Sequence, residues 1–294
     1  MDVLPRQGPH AVRVRKKTPQ AAGGRAQAEQ GVMNDVTLIT CTGMRAESIR
    51  RCARYVHRFD GLGSVRVQWI VVDDGDVQTF VPYVGDNATV EEKLIRPKHR
   101  WEPGKNTLAL NLLAALPHVK YDSVMFIEDD DWYSPQYMSR QLELLRGASI
   151  AGERPSRYYH LPSNKWRIMR SVHASLCQTA MRASLLPLLE SVCRADASFI
   201  DVSLWQRVFT THCAFSERLD DTTHCVGMKG LPGRAGIGIG HRPELGAGWN
   251  ADPGREKLRE WLGNDMELYF TPRTQPKPAR IRAQSLQDAS VSAI

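Results

Sequence analysis

Three short runs rich in apolar and β-branched residues, over 36–40, 65–72 and 123–127, each stop at a polar or acidic cluster. Segments with helical spacing lie between them. Over 45–59 the apolar positions Ile49, Cys52, Ala53 and Val56 recur at helical intervals, and Gly61-Leu62-Gly63 ends the pattern. Residues 90–95 read as a further short strand. Pro103-Gly104-Lys105-Asn106 opens a helix over 107–116, and another spans 135–145. This β-α-β-β-α-β-α alternation predicts an α/β fold, a mainly parallel sheet flanked by helices. In open sheets of that kind ligands bind beyond the carboxyl ends of the strands. Those ends are Cys41-Thr42-Gly43, Asp73-Asp74-Gly75-Asp76 and Glu128-Asp129-Asp130-Asp131, so all three are expected at one crevice.

The last cluster says most about chemistry. Carboxylates gathered at one strand end repel one another unless a cation sits among them. Hard divalent ions such as Mg²⁺ or Mn²⁺ take oxygen ligands and are often shared with substrate phosphates. The plain alternative is a solvated acidic turn, with an aspartate or Ser134 capping the next helix.

Charge narrows the partners. The chain carries a formal +7, but residues 1–32 hold six Lys or Arg against two acids, and residues 271–294 hold four against one. The excess therefore belongs to the ends, and the segment 33–270 balances. A basic globular face for nucleic acid is not indicated, although basic tails can tether a polyanion such as DNA. Both ends are rich in Pro, Gln, Ala, Arg and Gly without periodicity and are expected to be disordered. Met33, just before the first strand, offers a second possible start. No apolar stretch approaches the roughly 18 residues of a membrane span, and the N-terminus lacks a secretory apolar region. Six scattered cysteines without a C-x-x-C pair read as reduced thiols in a cytoplasmic protein.

The second half is less regular. A helix over 182–192 is expected to be interrupted by Pro187. Another over 197–209 carries Asp201 among Phe199, Ile200, Leu204, Trp205 and Val208. Residues 227–240 contain six glycines and end at His241, and a helix re-forms over 255–262.

Four segments, in order, resemble the family 2 glycosyltransferases with the GT-A (nucleotide-diphospho-sugar transferase) fold. Thr37 to Arg45 resembles the first strand and its turn. Ile70-Val71-Val72-Asp73-Asp74-Gly75 resembles the nucleoside-holding "VDDG". Phe126 to Trp132 resembles the "LDADDW" metal motif. Phe199 to Trp205 resembles the "EDVDLW" motif that supplies the base. The resemblance covers roughly 34–210 and implies a metal-dependent transferase using a nucleotide-sugar donor, with a UDP-sugar the first expectation. Glu128 stands where the first aspartate is usual, and Ile200 replaces the acid before Asp201, leaving one carboxylate there.

Each group then has an expected task. Asp130 and Glu128 are metal ligands, with His241 as a late histidine ligand and His224 its rival. Asp129, on the opposite face if strand alternation persists, binds sugar or water. Asp131 either supports the metal or caps the following helix. Thr42 and Arg45 at the first turn, Asp73 and Asp74, and Lys105 and Asn106 at a helix N-terminus are donor contacts. Asp201 is the general base for an acceptor hydroxyl, which implies inversion; its plain alternative is a helix cap or an ion pair with Arg207. The glycine run, with Lys229 and Arg234, is expected to close over the diphosphate. Two other functions fit the same residues: a nucleotidyltransferase of similar topology, or a non-catalytic nucleotide-sugar or glycan binder. The acceptor stays open among lipid-linked, polysaccharide, protein and modified-DNA hydroxyls, and so does the oligomeric state.

Overall fold

The computed structural model describes residues 35–81, 90–195, 198–210, 215–219, 223–234, 236, 241–244, 246 and 248–270. The two basic tails, Met33 and residues 237–240 of the glycine run lie outside them. In chain order the strands are β1 (Val36–Thr42), β2 (Val67–Asp73), β3 (Val90–Ile95), β4 (Ser123–Phe126), β5 (Trp132–Tyr133), β6 (Ile150–Arg154), β7 (Ser156–His160), β8 (Lys165–Met169), β9 (Thr179–Arg182), β10 (Phe215–Leu219), β11 (Cys225–Lys229) and β12 (Asn250–Ala251). The helices are α1 (Ala46–Val56), α2 (Leu108–Ala115), α3 (Tyr137–Leu144), α4 (Leu186–Arg194), α5 (Ile200–Thr210) and α6 (Glu256–Leu262).

A seven-stranded sheet runs β10-β6-β9-β4-β1-β2-β3. β1 lies parallel to both β2 and β4, with Val36 opposite Val67 and Ser123. The expected parallel core is therefore present. The chain steps outward from β1 to β2 and β3, then returns to the other side of β1 for β4. That reversal is the switch point at which such sheets leave a crevice.

Burial on both faces explains the continuous apolar runs. Every residue of β2 is buried. Alternation divides the strand side chains between two cores. Leu38, Trp69 and Val71 pack with Ile49, Cys52, Tyr55 and Val56 of α1. Ile39, Ile70 and Val72 pack with Leu112 of α2, Leu189 of α4, and Leu204 and Trp205 of α5.

A second sheet, β12-β8-β7-β11-β5, was not anticipated from the sequence. Its strands are short and carry Arg157, His160, Lys165 and Arg167, which blunt any alternation signal. Pro187 does not interrupt a helix. β9 ends at Arg182, a 3-10 turn spans Ala183–Leu185, and α4 starts with Pro187 in its first turn. A proline's missing N–H has no intrahelical partner to lose at that position. Among the described residues no helix is long and apolar enough to cross a membrane.

Candidate active site

The strand ends build one cavity of about 470 Å³, lined among others by Thr42, Arg45, Lys105, Asn106, Glu128, Asp129, Asp130, Asp201, Lys229, Arg234 and His241. Most residues singled out in the sequence thus meet, as the parallel topology requires. Asp73 and Asp74 do not line it.

The acidic cluster leaves β4 as a tight turn, and the strand alternation expected for Asp129 stops there. Asp129 accepts from Thr42 Oγ1 at 2.6 Å and from Arg45 Nη1 at 2.8 Å. The same guanidinium nitrogen lies 3.0 Å from Asp130 Oδ2. Asp131 caps no helix. Its Oδ1 accepts from Met228 N at 2.9 Å and Lys229 Nζ at 3.2 Å. Ser134 is no cap either, since its hydroxyl pairs with His224 Nδ1 at 3.0 Å. That contact also buries His224 away from the cavity, whereas His241 lines it.

Four carboxylates therefore face two buried cations, Arg45 and Lys229. Burial, then the Asp131 charge, pushes the Glu128 carboxyl well up. Burial also raises Asp129 and Asp131. At Asp130 burial acts upward too, but Arg45, Lys229 and His241 outweigh it and hold its pKa at about 2. His241 is pushed down to about 4 by burial and by Lys229, against the pull of Asp130. Three carboxyls are thus pushed toward protonation beside one that stays charged, and the neighbouring imidazole is uncharged. An imidazole ligand must be neutral to bind a metal.

These residues fit a hard divalent cation. Oxygens of Glu128, Asp130 and Asp131 lie within 4.8 Å of one another. Asp131 Oδ2 is buried without a hydrogen-bond partner. With all four carboxylates ionised, the two cations leave two negative charges uncompensated, and unpaired buried charge is costly.

Asp73 and Asp74 serve the walls. Asp73 accepts from the backbone N–H groups of Gly75 and Thr79 at 3.1 and 2.7 Å and pairs with Arg96. Asp74, fully buried, accepts from Thr107, from Asn111 at 2.8 Å, and from Arg234 Nη1 at 3.1 Å. The turn after β1 presses on it closely: a Cβ at Gly43 would sit 2.2 Å from Asp74 Oδ1. Asn106 Oδ1 accepts from Leu108 N at 3.1 Å at the start of α2, and Lys105 forms an exposed pair with Glu102.

The loop after β11 crosses this region. Arg234 lies over the Trp101 ring at 5.8 Å, and its carbonyl accepts from Arg45 Nε at 2.9 Å. Lys229 and Arg234 are thus both engaged by the chain's own carboxylates. Asp201 sits in the first turn of α5 and faces the cavity. Its Oδ2 lies 3.9 Å from His173 Nε2, and Arg207 Nη1 donates to Ser191 Oγ at 2.7 Å. Burial raises the Asp201 carboxyl, and backbone N–H groups and His173 oppose this. Sequence reasoning missed Tyr158, Arg167, His173 and Trp249, which also line the cavity. They come from the second sheet and its loops, where no motif marks them.

The cleft, with its carboxylates at the end of β4, fits the class the sequence motifs resemble, a glycosyltransferase with the GT-A fold. The model of glycosyl transferase family 2 matches residues 37–209, more than half of the 294 residues, and the chain belongs to that family. No curated protein matches the chain. Among solved structures it is similar to S. aureus TarS 1–349 in complex with UDP, at 12% identity and a TM-score of 0.48, over 66% of this chain and 60% of that one. It is also similar to the mannosyltransferase PcManGT from Pyrobaculum calidifontis in complex with GDP-Man and Mn²⁺. There the identity is 15% and the TM-score 0.47, over 80% of this chain and 69% of that one. The chain spans about 60% of the length of the TarS 1–349 structure.

Proposed function

We propose that residues 33–270 form a metal-dependent transferase that moves a sugar from a UDP-sugar to an acceptor hydroxyl with inversion. The observation that carries this reading is that one cavity holds both the carboxylate cluster and the separate carboxylate of Asp201. Glu128, Asp130 and His241 would hold Mn²⁺ or Mg²⁺, with Asp131 in support. A divalent cation there supplies the Lewis acid that compensates charge on the departing diphosphate.

The chain's own residues do the rest. Thr42 and Arg45 fix Asp129, which faces the sugar. Lys105 and Asn106 offer donors to phosphate oxygens beside the start of α2. Asp73 and Asp74 shape the nucleoside wall from behind. Asp201 Oδ takes the acceptor's proton as its oxygen attacks the anomeric carbon. Attack from the face opposite the leaving group inverts that carbon. A cytoplasmic setting suits the described cysteines, all of which are free thiols.

The test is a panel of UDP-, GDP- and dTDP-sugars with Mn²⁺ or EDTA, read as release of the nucleoside diphosphate and as transfer to added acceptors. The account expects metal-dependent release from a UDP-sugar. Binding without turnover would favour the non-catalytic reading.

A further inference from the structure

Asp201 lacks the acidic neighbour that the family resemblance gives it, because Ile200 fills that position and is buried in the core. A different ionisable group stands near its carboxylate. His173 Nε2 lies 3.9 Å from Asp201 Oδ2, and the two side chains are 19% and 23% exposed. Both line the cavity.

The approach is built by anchored backbone. His173 belongs to the segment between β8 and β9. Ser171 Oγ donates to the His173 carbonyl. Ala174 is fully buried against Gly152, where an added Cβ would sit 2.4 Å from the Ala174 methyl. Ser175 Oγ meets the hydroxyls of Ser156 and Tyr158, each at 2.7 Å. On the other side, the backbone N–H groups of Val202 and Leu176 act on the Asp201 carboxyl against the upward push of burial. Tyr158 from β7, Arg167 from β8, Cys177 before β9 and Lys229 of β11, which lies over the Tyr158 ring at 5.6 Å, are further ionisable side chains of the cavity.

We propose that His173 is the positioning residue of the base: it acts through Asp201, which takes up the acceptor's proton. This rests on the transferase reading above. The acceptor O–H bond breaks, and its electron pair forms the new bond to the anomeric carbon. The bond from that carbon to the diphosphate breaks, and its electrons leave on the diphosphate oxygen. The proton goes to Asp201 Oδ2 and from there to solvent once products leave, while His173 Nε2 orients that carboxylate toward the acceptor. A separation of 3.9 Å is long for a hydrogen bond; catalytic contacts of this kind tighten in the complex with substrate.

The experiment measures Mn²⁺-dependent release of UDP from a UDP-sugar against pH, for wild type, Asp201→Asn and His173→Gln. With His173→Gln, kcat is expected to fall about tenfold while the donor KM holds, a modest share of the usual general-base effect. Its acid limb is expected to move to higher pH, because the imidazole that opposes the upward push of burial on the Asp201 carboxyl is gone. An unmoved limb with unchanged kcat overturns the proposal. A second measurement does not need turnover: carbethoxylation of His173 by diethylpyrocarbonate at mildly acidic pH, followed by mass spectrometry. Asp201→Asn is expected to react faster at His173, having lost the carboxylate that faces its Nε2; equal rates overturn the pairing. If no form, wild type included, turns over any sugar nucleotide, the transferase reading fails, and the carbethoxylation rates alone decide whether the pair exists.

Discussion

At Asp130 a buried carboxylate stays charged although its neighbours are pushed toward protonation, because the Arg45 and Lys229 cations outweigh burial. That residue anchors the proposed cation. Asp130→Asn is expected to abolish stabilisation by Mn²⁺ in thermal melts while the metal-free Tm changes little. Retained stabilisation would move the ion elsewhere. Asp201→Asn keeps size and hydrogen-bonding shape but removes the proposed base. Its kcat is expected to drop by about 10²- to 10⁴-fold with the donor KM preserved, as single-turnover and steady-state rates would show. At this scale the sequence was informative where motifs are contiguous, as at Glu128 to Asp131. It was silent on His173 and Trp249, whose place depends on strands far away in the chain. It also could not show that Asp73 and Asp74 would be saturated by Thr79, Arg96, Thr107, Asn111 and Arg234, since those contacts cross up to 160 residues.

Among the elements, the loop after β11 and the 3-10 turn after α6 carry tests of their own. Gly233 has φ +101°, and an added Cβ would meet the Met44 carbonyl at 2.7 Å. Gly233→Ala is expected to cost about 1 kcal/mol or more in urea unfolding, because both backbone conformation and contact oppose it. In the last 3-10 turn Asp265 accepts from Arg58 Nη1 at 2.8 Å and from Trp132 Nε1 at 2.7 Å. Partial burial raises its pKa, but these two partners outweigh burial and leave it lowered. A depressed carboxyl stabilises the fold fully above its unfolded value, about 3.9, and loses that contribution as pH falls through the folded value. The Tm gap between wild type and Asp265→Asn should therefore be present at neutral pH and close in acid; a gap that persists in acid would assign it to packing. The parallel strands were legible because two buried faces demand unbroken apolar runs, as in β2. β7 and β8 were not, because Arg157, Lys165 and Arg167 interrupt theirs.

For the whole molecule, the return of the chain from β3 to β4 beside β1 creates the crevice, and the second sheet adds the wall that carries Tyr158, Arg167 and Lys229. The α/β class followed from the alternation of the first 145 residues; the enclosing wall did not, because its strands leave no period in the sequence. A divalent ion at the cluster that ends β4 and a sugar nucleotide are expected to bind together. Isothermal titration of UDP into the protein with Mn²⁺, and again with EDTA, tests that claim most directly. Linked binding predicts tight association with the ion and at least a tenfold loss without it, a coupling of about 1.4 kcal/mol. Equal affinity in both, or no binding in either, would contradict it.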